Sequence, residues 1–195
     1  MNLLVLGPQG AGKGTQGKRV AEDYEIPHVA TGEMFRAAIA ARTPLGLKVE
    51  PILAAGELVP DDVTVALIRE RLAEDDARRG FVLDGFPRNL AQAEALDAML
   101  GTIGRDLDAI LFFDLPDAVG KERMTRRALE EGRPDDTPEV IERRLEIYHR
   151  ETEPVVEHYR ATGKLVPLHA ARTVEQVYRE IQDALRRFET EVPAA

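Results

Sequence analysis

Short, uninterrupted apolar runs alternate along the chain with longer stretches of helical periodicity. The runs are Leu3-Leu4-Val5-Leu6, Phe81-Val82-Leu83, Ala109-Ile110-Leu111-Phe112-Phe113 and Leu165-Val166-Pro167-Leu168. None alternates apolar with polar residues, so each is expected to be a strand covered on both faces. Pro167 has no N–H for a ladder, which places the last run at a sheet edge or ends it early. Val174, Val177, Ile181, Leu185 and Phe188 recur at helical spacing, with Glu175, Arg179, Glu180, Asp183 and Arg186 elsewhere around the helix. Thr173 and Gln176 have capping-box spacing at its start. Ile141, Leu145, Tyr148, Val155 and Tyr159 mark another long helix, with Thr137 as cap residue and Pro138 at its first position. Strand–helix–strand alternation predicts a parallel sheet with helices on both faces. Residues 31–75, mostly helical in pattern, and the Gly-, Pro- and acid-rich residues 129–137 break the alternation. They read as insertions over one rim of the sheet, where mobile functional segments sit.

The sharpest chemical signal follows the first run: Gly7-Pro8-Gln9-Gly10-Ala11-Gly12-Lys13-Gly14-Thr15. Between a strand and a helix, such glycines allow a tight turn whose backbone N–H groups face phosphate oxygens. The helix N-terminus adds its positive dipole end, and Lys13 reaches the outer phosphates as a point charge. The general pattern wants Ser or Thr directly after the Lys; here Gly14 intervenes before Thr15. Asp84 ends the run Phe81-Val82-Leu83, at the carboxyl end of a strand beside this loop. It is a candidate for holding magnesium, directly or through water, or else a cap on the following turn. His28, His149, His158 and His169 show no metal-ligand spacing and read as surface or packing residues.

Composition narrows the classes. In 195 residues, 26 Lys and Arg against 35 Asp and Glu leave a net charge of −9, with 44% hydrophobic residues. One globular domain is expected, large enough to fold without disulfides or a structural metal. Zero cysteines exclude thiolate zinc sites, disulfides and cysteine nucleophiles. The negative total argues against a nucleic-acid coat, and no apolar segment is long enough to span a bilayer. Met1-Asn2 leads straight into an apolar run, against a secretory signal. Local field, not net charge, governs a small anionic ligand, so the phosphate loop stands. Only five basic residues are Lys. The Arg excess suits base composition, and also bidentate recognition of phosphate.

The loop with Gly14 between Lys13 and Thr15 resembles the variant found in adenylate kinases, within the nucleoside monophosphate kinases. So do Thr31-Gly32-Glu33-Met34-Phe35-Arg36, Asp84-Gly85-Phe86-Pro87-Arg88 with Gln92 four residues on, the pair Arg123 and Arg127, Arg133-Pro134-Asp135-Asp136, and Arg144. Matching positions run from residue 3 to about 174. The resemblance implies reversible phosphoryl transfer from MgATP to AMP, giving two ADP. It implies an α/β, P-loop-containing three-layer fold with a central five-stranded parallel sheet flanked by helices. The core would comprise residues 1–29, 60–123 and 138–195. A helical monophosphate-binding lobe would span 30–59 and a short lid 124–137, without the zinc-binding insertion of some relatives. A cytoplasmic monomer is expected, with no nucleic-acid or membrane partner. Glu33 and Phe35 depart mildly from the Asp and Leu common in relatives.

By the same resemblance, Gly10, Ala11, Gly12, Lys13, Gly14, Thr15, Arg123, Arg127 and Arg172 would bind ATP. Thr31, Arg36, Glu57, Val59, Gly85, Arg88, Gln92, Arg133 and Arg144 would bind AMP. Lys13, Arg88, Arg123, Arg127, Arg133 and Arg144 would act in catalysis, and Asp84 would hold Mg2+ through water. Transfer between two anions needs positioning and charge neutralisation more than covalent chemistry. An arginine that stabilises the transition state contributes roughly 10³ to 10⁵ in rate, on the order of 4–7 kcal/mol. An exposed ion pair contributes about 0–1 kcal/mol. Plainer roles stay open from sequence alone. Arg123, Arg127 and Arg144 could pair with Glu122, Glu130, Glu142 and Glu146 on helix surfaces. Thr31 could be a helix cap, Gln92 an exposed helix residue, and Asp135 and Asp136 either lid-closure acceptors or a solvated loop. A UMP/CMP kinase of the same fold is the nearest rival, disfavoured by Thr31 and Gln92. A non-catalytic nucleotide sensor is the rival from another class.

Overall fold

Five parallel strands form one sheet in the computed structural model, which describes residues 1–131 and 136–189. The strands are β1 (Asn2–Leu6), β2 (His28–Ala30), β3 (Phe81–Asp84), β4 (Ala109–Asp114) and β5 (Leu165–His169), in spatial order β2-β3-β1-β4-β5. The helices are α1 (Lys13–Asp23), α2 (Thr31–Ala40), α3 (Pro44–Ala54), α4 (Asp61–Leu72), α5 (Leu90–Thr102), α6 (Asp117–Glu131), α7 (Pro138–Ile147), α8 (Glu153–Arg160) and α9 (Val174–Glu189). The four apolar runs are strands, and Pro167 lies on the edge strand, where its missing N–H costs no ladder bond.

The runs in β1, β3 and β4 are apolar at every position because both faces are covered, whereas the edge run in β5 is only partly covered, with Pro167 exposed. On one side Leu3, Val5, Leu111 and Phe113 pack with Val20 and Ala21 of α1 and with Val177, Ile181 and Leu185 of α9. On the other, Leu4, Leu6, Leu83 and Ile110 pack with Ile68 and Leu72 of α4, Leu96 and Leu100 of α5, and Val155, Val156 and Tyr159 of α8. Two smaller clusters stand apart. Phe35, Val49 and Val59 join α2, α3 and the segment before α4, and Met124, Ile141 and Leu145 join α6 to α7. The first insertion thus has apolar contacts of its own, and the second is bracketed by the α6–α7 contact.

The structure adds two features to the sequence reading. The fifth strand, β2, shows no apolar run of its own. Its three residues are held by pairing with β3, in register His28 with Val82 and Ala30 with Asp84. The helix expected through Ile141 and Tyr159 is interrupted at Tyr148–Thr152 by a π-helical turn before α8. Pro154 stands in the first turn of α8, where it lacks a donor for the preceding turn and crowds its carbonyl. The chain therefore restarts with Pro in a permitted position.

β1 lies between β3 and β4, so the chain leaves it in opposite directions across the sheet. A crevice opens at the carboxyl ends of the strands at such a switch point. The loop after β1, Asp84 at the end of β3 and the start of α2 all reach that rim.

The capping box at α9 is formed as expected. Thr173 N–H donates to Gln176 Oε1 at 3.1 Å, and Gln176 N–H donates to Thr173 Oγ1 at 3.3 Å. Thr173→Ala should lower stability by about 1 kcal/mol, read as a lower urea midpoint at unchanged slope. A midpoint within error of wild type would show that α9 is fixed by its apolar face alone.

Candidate active site

The phosphate loop joins β1 to α1 and presses against α6. At Gly10 the backbone has φ +80°, and a Cβ there would lie 2.6 Å from the Gly120 carbonyl oxygen. Only glycine permits both the turn and the approach. The first N–H groups of α1 lack intrahelical acceptors and are available to a ligand at the rim. Lys13 Nζ folds back to donate to the Gly7 and Pro8 carbonyls, at 2.7 and 2.8 Å.

Asp84 is paired in register with Val5, next to the loop. Its side chain is 14% exposed, and the His28 imidazole Nε2 stands 3.6 Å from Oδ2, longer than a normal hydrogen bond. Burial alone would raise this carboxyl, but His28, Lys13 and Arg88 outweigh it and hold it below the ordinary carboxylate value. It is therefore an anion at neutral pH. Among the described residues no group of three or more His, Asp or Glu could hold a metal by itself. A single ionised carboxylate beside a phosphate loop suits Mg2+, which keeps waters and shares itself with substrate phosphates. The residues present fit that ion.

Across the crevice, Thr31 Oγ1 donates to the Gly85 carbonyl at 2.9 Å. The cap position of α2 is Ala30, so Thr31 is not the helix cap. Arg88 Nε donates to the same Gly85 carbonyl at 2.8 Å. A Cβ at Gly85, where φ is +78°, would sit 2.7 Å from Thr31 Oγ1, so this crossing also requires glycine. Gln92 is buried rather than exposed on its helix. Its Oε1 accepts from the Arg88 backbone N–H at 2.8 Å, and its Nε2 donates to Asp61 Oδ1 at 2.6 Å. Thr31, Phe35, Val59, Gly85, Arg88 and Gln92 line a cavity of about 20 Å³. That is room for about one water, far less than a nucleotide base.

Arg123 and Arg127 of α6 and Arg144 of α7 point inward. Arg123 donates to the Ala170 carbonyl at 2.8 Å and approaches the Gly10 carbonyl at 3.4 Å. Arg127 and Arg144 both bond to Asp136, whose side chain is fully buried. Of the four nearby acids, three pair with other cations, Glu130 with Arg126, Glu142 with Lys121 and Glu146 with Arg143, and among the described residues Glu122 pairs with none of the three inward arginines. Surface pairing therefore does not account for the inward arginines. Burial, then Arg144, then Arg36 lower the Arg88 guanidinium from its ordinary value, with Asp84 opposing. It keeps its charge regardless. Arg36 lies against Gly32 at the start of α2.

Other expected residues are placed differently. The Glu57 side chain pairs with Arg143 at 2.7 Å, joining the segment after α3 to α7. Arg172 turns toward Glu180, and its carbonyl faces Arg123 at 3.5 Å. Thr15 is exposed on the first turn of α1. Arg133 and Asp135 lie outside the described residues. Sequence reasoning missed His28 and Asp61 as neighbours of the site. An isolated His before a short strand carries no signal, and an acid in a helix's first turn is ordinary dipole complementation.

The adenylate kinase family model matches residues 5–164. The chain belongs to the adenylate kinase family. An adenylate kinase of Xanthomonas euvesicatoria pv. vesicatoria is 44% identical over 187 residues, covering 96% of this chain and 100% of the relative. One from Methylobacterium nodulans is 46% identical over 192 residues, covering 95% of this chain and 96% of the relative. Membership in the adenylate kinase family accounts for the Gly14 variant of the phosphate loop. No helix among the described residues is long and apolar enough to cross a membrane.

Burial lowers the Lys13 ammonium from 10.5 to about 8, with Asp84 opposing and Arg88 and Arg127 reinforcing. The folded-state value lies below the unfolded one. Below about pH 8 both states hold the proton and the buried charge costs stability; that cost declines as pH rises from about 8 toward 10.5. A phosphate beside Lys13 favours its charged form. ATP binding at about pH 8.5 should therefore take up a fraction of a proton, measured by calorimetry in buffers of different ionisation enthalpy. Lys13→Met should abolish the uptake. Equal proton counts for the two proteins would refute the placement of Lys13 against phosphate.

Proposed function

We propose that this protein transfers the terminal phosphoryl group of ATP to AMP, giving two ADP, with Mg2+ accompanying ATP. The observation that carries the reading is the gathering of Lys13, Arg88, Arg127 and Arg144 at one rim. They stand between a phosphate loop and a small pocket floored by Gln92. Their mutual influence is physical: Arg88 and Arg127 depress Lys13, and Arg144 and Arg36 depress Arg88. Such crowding is unfavourable without anions and favourable around two polyphosphates.

In the proposed reaction an AMP phosphate oxygen attacks the γ-phosphorus of ATP in line, and the bond to the β,γ-bridging oxygen breaks. ADP leaves on each side, and no proton need be transferred. Lys13 and the N–H groups at the start of α1 hold the donor phosphates. Arg88, with Arg36, holds the acceptor phosphate. Arg127 and Arg144 exchange Asp136 for phosphate oxygens as the transferring group develops charge. Arg133 is proposed to join them on the strength of the resemblance. Arg123, beside Ala170 and Arg172, is placed to lie against the donor base. Mg2+, held near Asp84, would neutralise charge on the donor phosphates.

The closed acceptor pocket supports motion of residues 30–59 as a unit, since about 20 Å³ admits no nucleotide. Residues 124–137 are proposed as the lid, which together with that lobe excludes water so that AMP, not water, accepts the phosphoryl group. A cytoplasmic monomer remains the expectation carried by the resemblance.

A coupled assay for ADP should show two ADP formed per AMP consumed, with CMP, UMP and GMP far poorer acceptors. Lys13→Met and Arg88→Ala should each lower kcat/KM by roughly 10³-fold or more. A pyrimidine preference would reassign the protein to the UMP/CMP kinases. Equal inactivity of wild type and Lys13→Met, with ATP still bound, would make it a sensor.

A further inference from the structure

Asp61 and Arg88 hold the Gln92 amide from opposite sides. The Arg88 backbone N–H can only donate, and it meets Gln92 Oε1 at 2.8 Å. The Asp61 carboxylate can only accept when ionised, and it meets Gln92 Nε2 at 2.6 Å. Rotating the amide by half a turn would set a donor against a donor and an acceptor against an acceptor. Asp61 Oδ1 also accepts from Asn89 Nδ2 at 2.9 Å. Asn89 in turn caps α5 by accepting from the Gln92 N–H at 2.9 Å. One carboxylate on the first turn of α4 thus fixes both the helix start that carries Gln92 and the orientation of its side chain.

We propose that Asp61 is a specificity-determining positioning residue: it locks the Gln92 amide in the one orientation that reads adenine. This rests on the reading of Gln92 as the residue that contacts the acceptor base. With one N–H given to Asp61 and one oxygen lone pair given to Arg88, Gln92 retains one N–H and one lone pair for a ligand. Adenine offers an N1 acceptor and an N6 donor, which match that pair. Hypoxanthine has the same ring outline with an N1 donor and an O6 acceptor, the reverse order. A freely turning amide would serve both purines. A locked one excludes hypoxanthine because its polar edge would be left opposed and buried.

The test compares AMP with IMP as acceptors at saturating MgATP. Asp61→Ala should lower the AMP-to-IMP ratio of kcat/KM at least tenfold. Asp61→Asn, whose carboxamide oxygen still accepts, should stay within threefold of wild type, and KM for ATP should be unchanged in both. A ratio for Asp61→Ala within twofold of wild type would overturn the proposal, whatever the change in stability. Gln92→Leu separates this from the underlying reading. If it collapses the ratio while Asp61→Ala does not, the lock alone is wrong; if neither changes it, Gln92 does not read the base. Should Asp61→Ala not fold, NMR of the wild type decides. One Gln92 side-chain amide proton should be shifted downfield and protected from exchange before nucleotide is added, and two freely exchanging protons would overturn the lock.

Discussion

Everything at this site follows from crowding fixed cations where water is scarce. Lys13, Arg36, Arg88, Arg127 and Arg144 come from five different places in the chain, and their charges oppose one another. Two carboxylates offset them: the partly buried Asp84 beside the phosphate loop and the buried Asp136 between Arg127 and Arg144. Guanidiniums cannot shed their charge as Lys13 can, so the lysine is the group whose proton yields to the field. The remaining imbalance favours anions, and phosphate supplies more negative charge than either carboxylate.

The sheet makes this crowding possible. Both faces of the strands are buried under helices, so the backbone at the rim is held by packing that the site does not have to provide. Glycine at 10 and 85 lets the loop and the strand end approach their neighbours more closely than any side chain would allow. Strain and repulsion therefore sit on a rigid base, the arrangement that preorganised electrostatics requires. The insertions are held more lightly. Glu57 and Arg143 are both about half-exposed, and ion pairs open to water contribute little. The motion proposed for residues 30–59 would have to break this pair.

The pocket itself shows how selectivity differs from affinity. Arginines around phosphate attract any nucleotide, since they touch only what all nucleotides share. Discrimination must come from the base edge, and the proposed reader is one buried amide, Gln92, held at its oxygen by the Arg88 N–H and at its nitrogen by Asp61. Its partners come from the backbone of Arg88 and from the start of another helix, so its orientation depends on the relative placement of α4 and α5.

Much of this was legible in the chain. Four strands, the caps at Thr137 and Thr173, and the phosphate loop all follow from local sequence, because backbone hydrogen bonding and side-chain periodicity are short-range; Pro167 left an edge strand or an early end open, and the sheet order decides for the edge. β2 was not legible, since three residues make no pattern and only pairing with β3 defines them. Nor was the break at Tyr148–Thr152, where apolar spacing continued across a turn that Pro154 forces open. Sequence could list the arginines but could not choose between helix-surface pairs and an inward ring. That choice depends on which acids lie within reach after folding, and Arg126, Lys121 and Arg143 took the local ones. Asp61 was invisible as anything but a helix start, because its partner lies across the fold at Gln92. Residue type and spacing thus determined the chemistry available to this protein. Tertiary packing alone decided which charges meet, because electrostatic and hydrogen-bond energies depend on distance in space and not on distance along the chain.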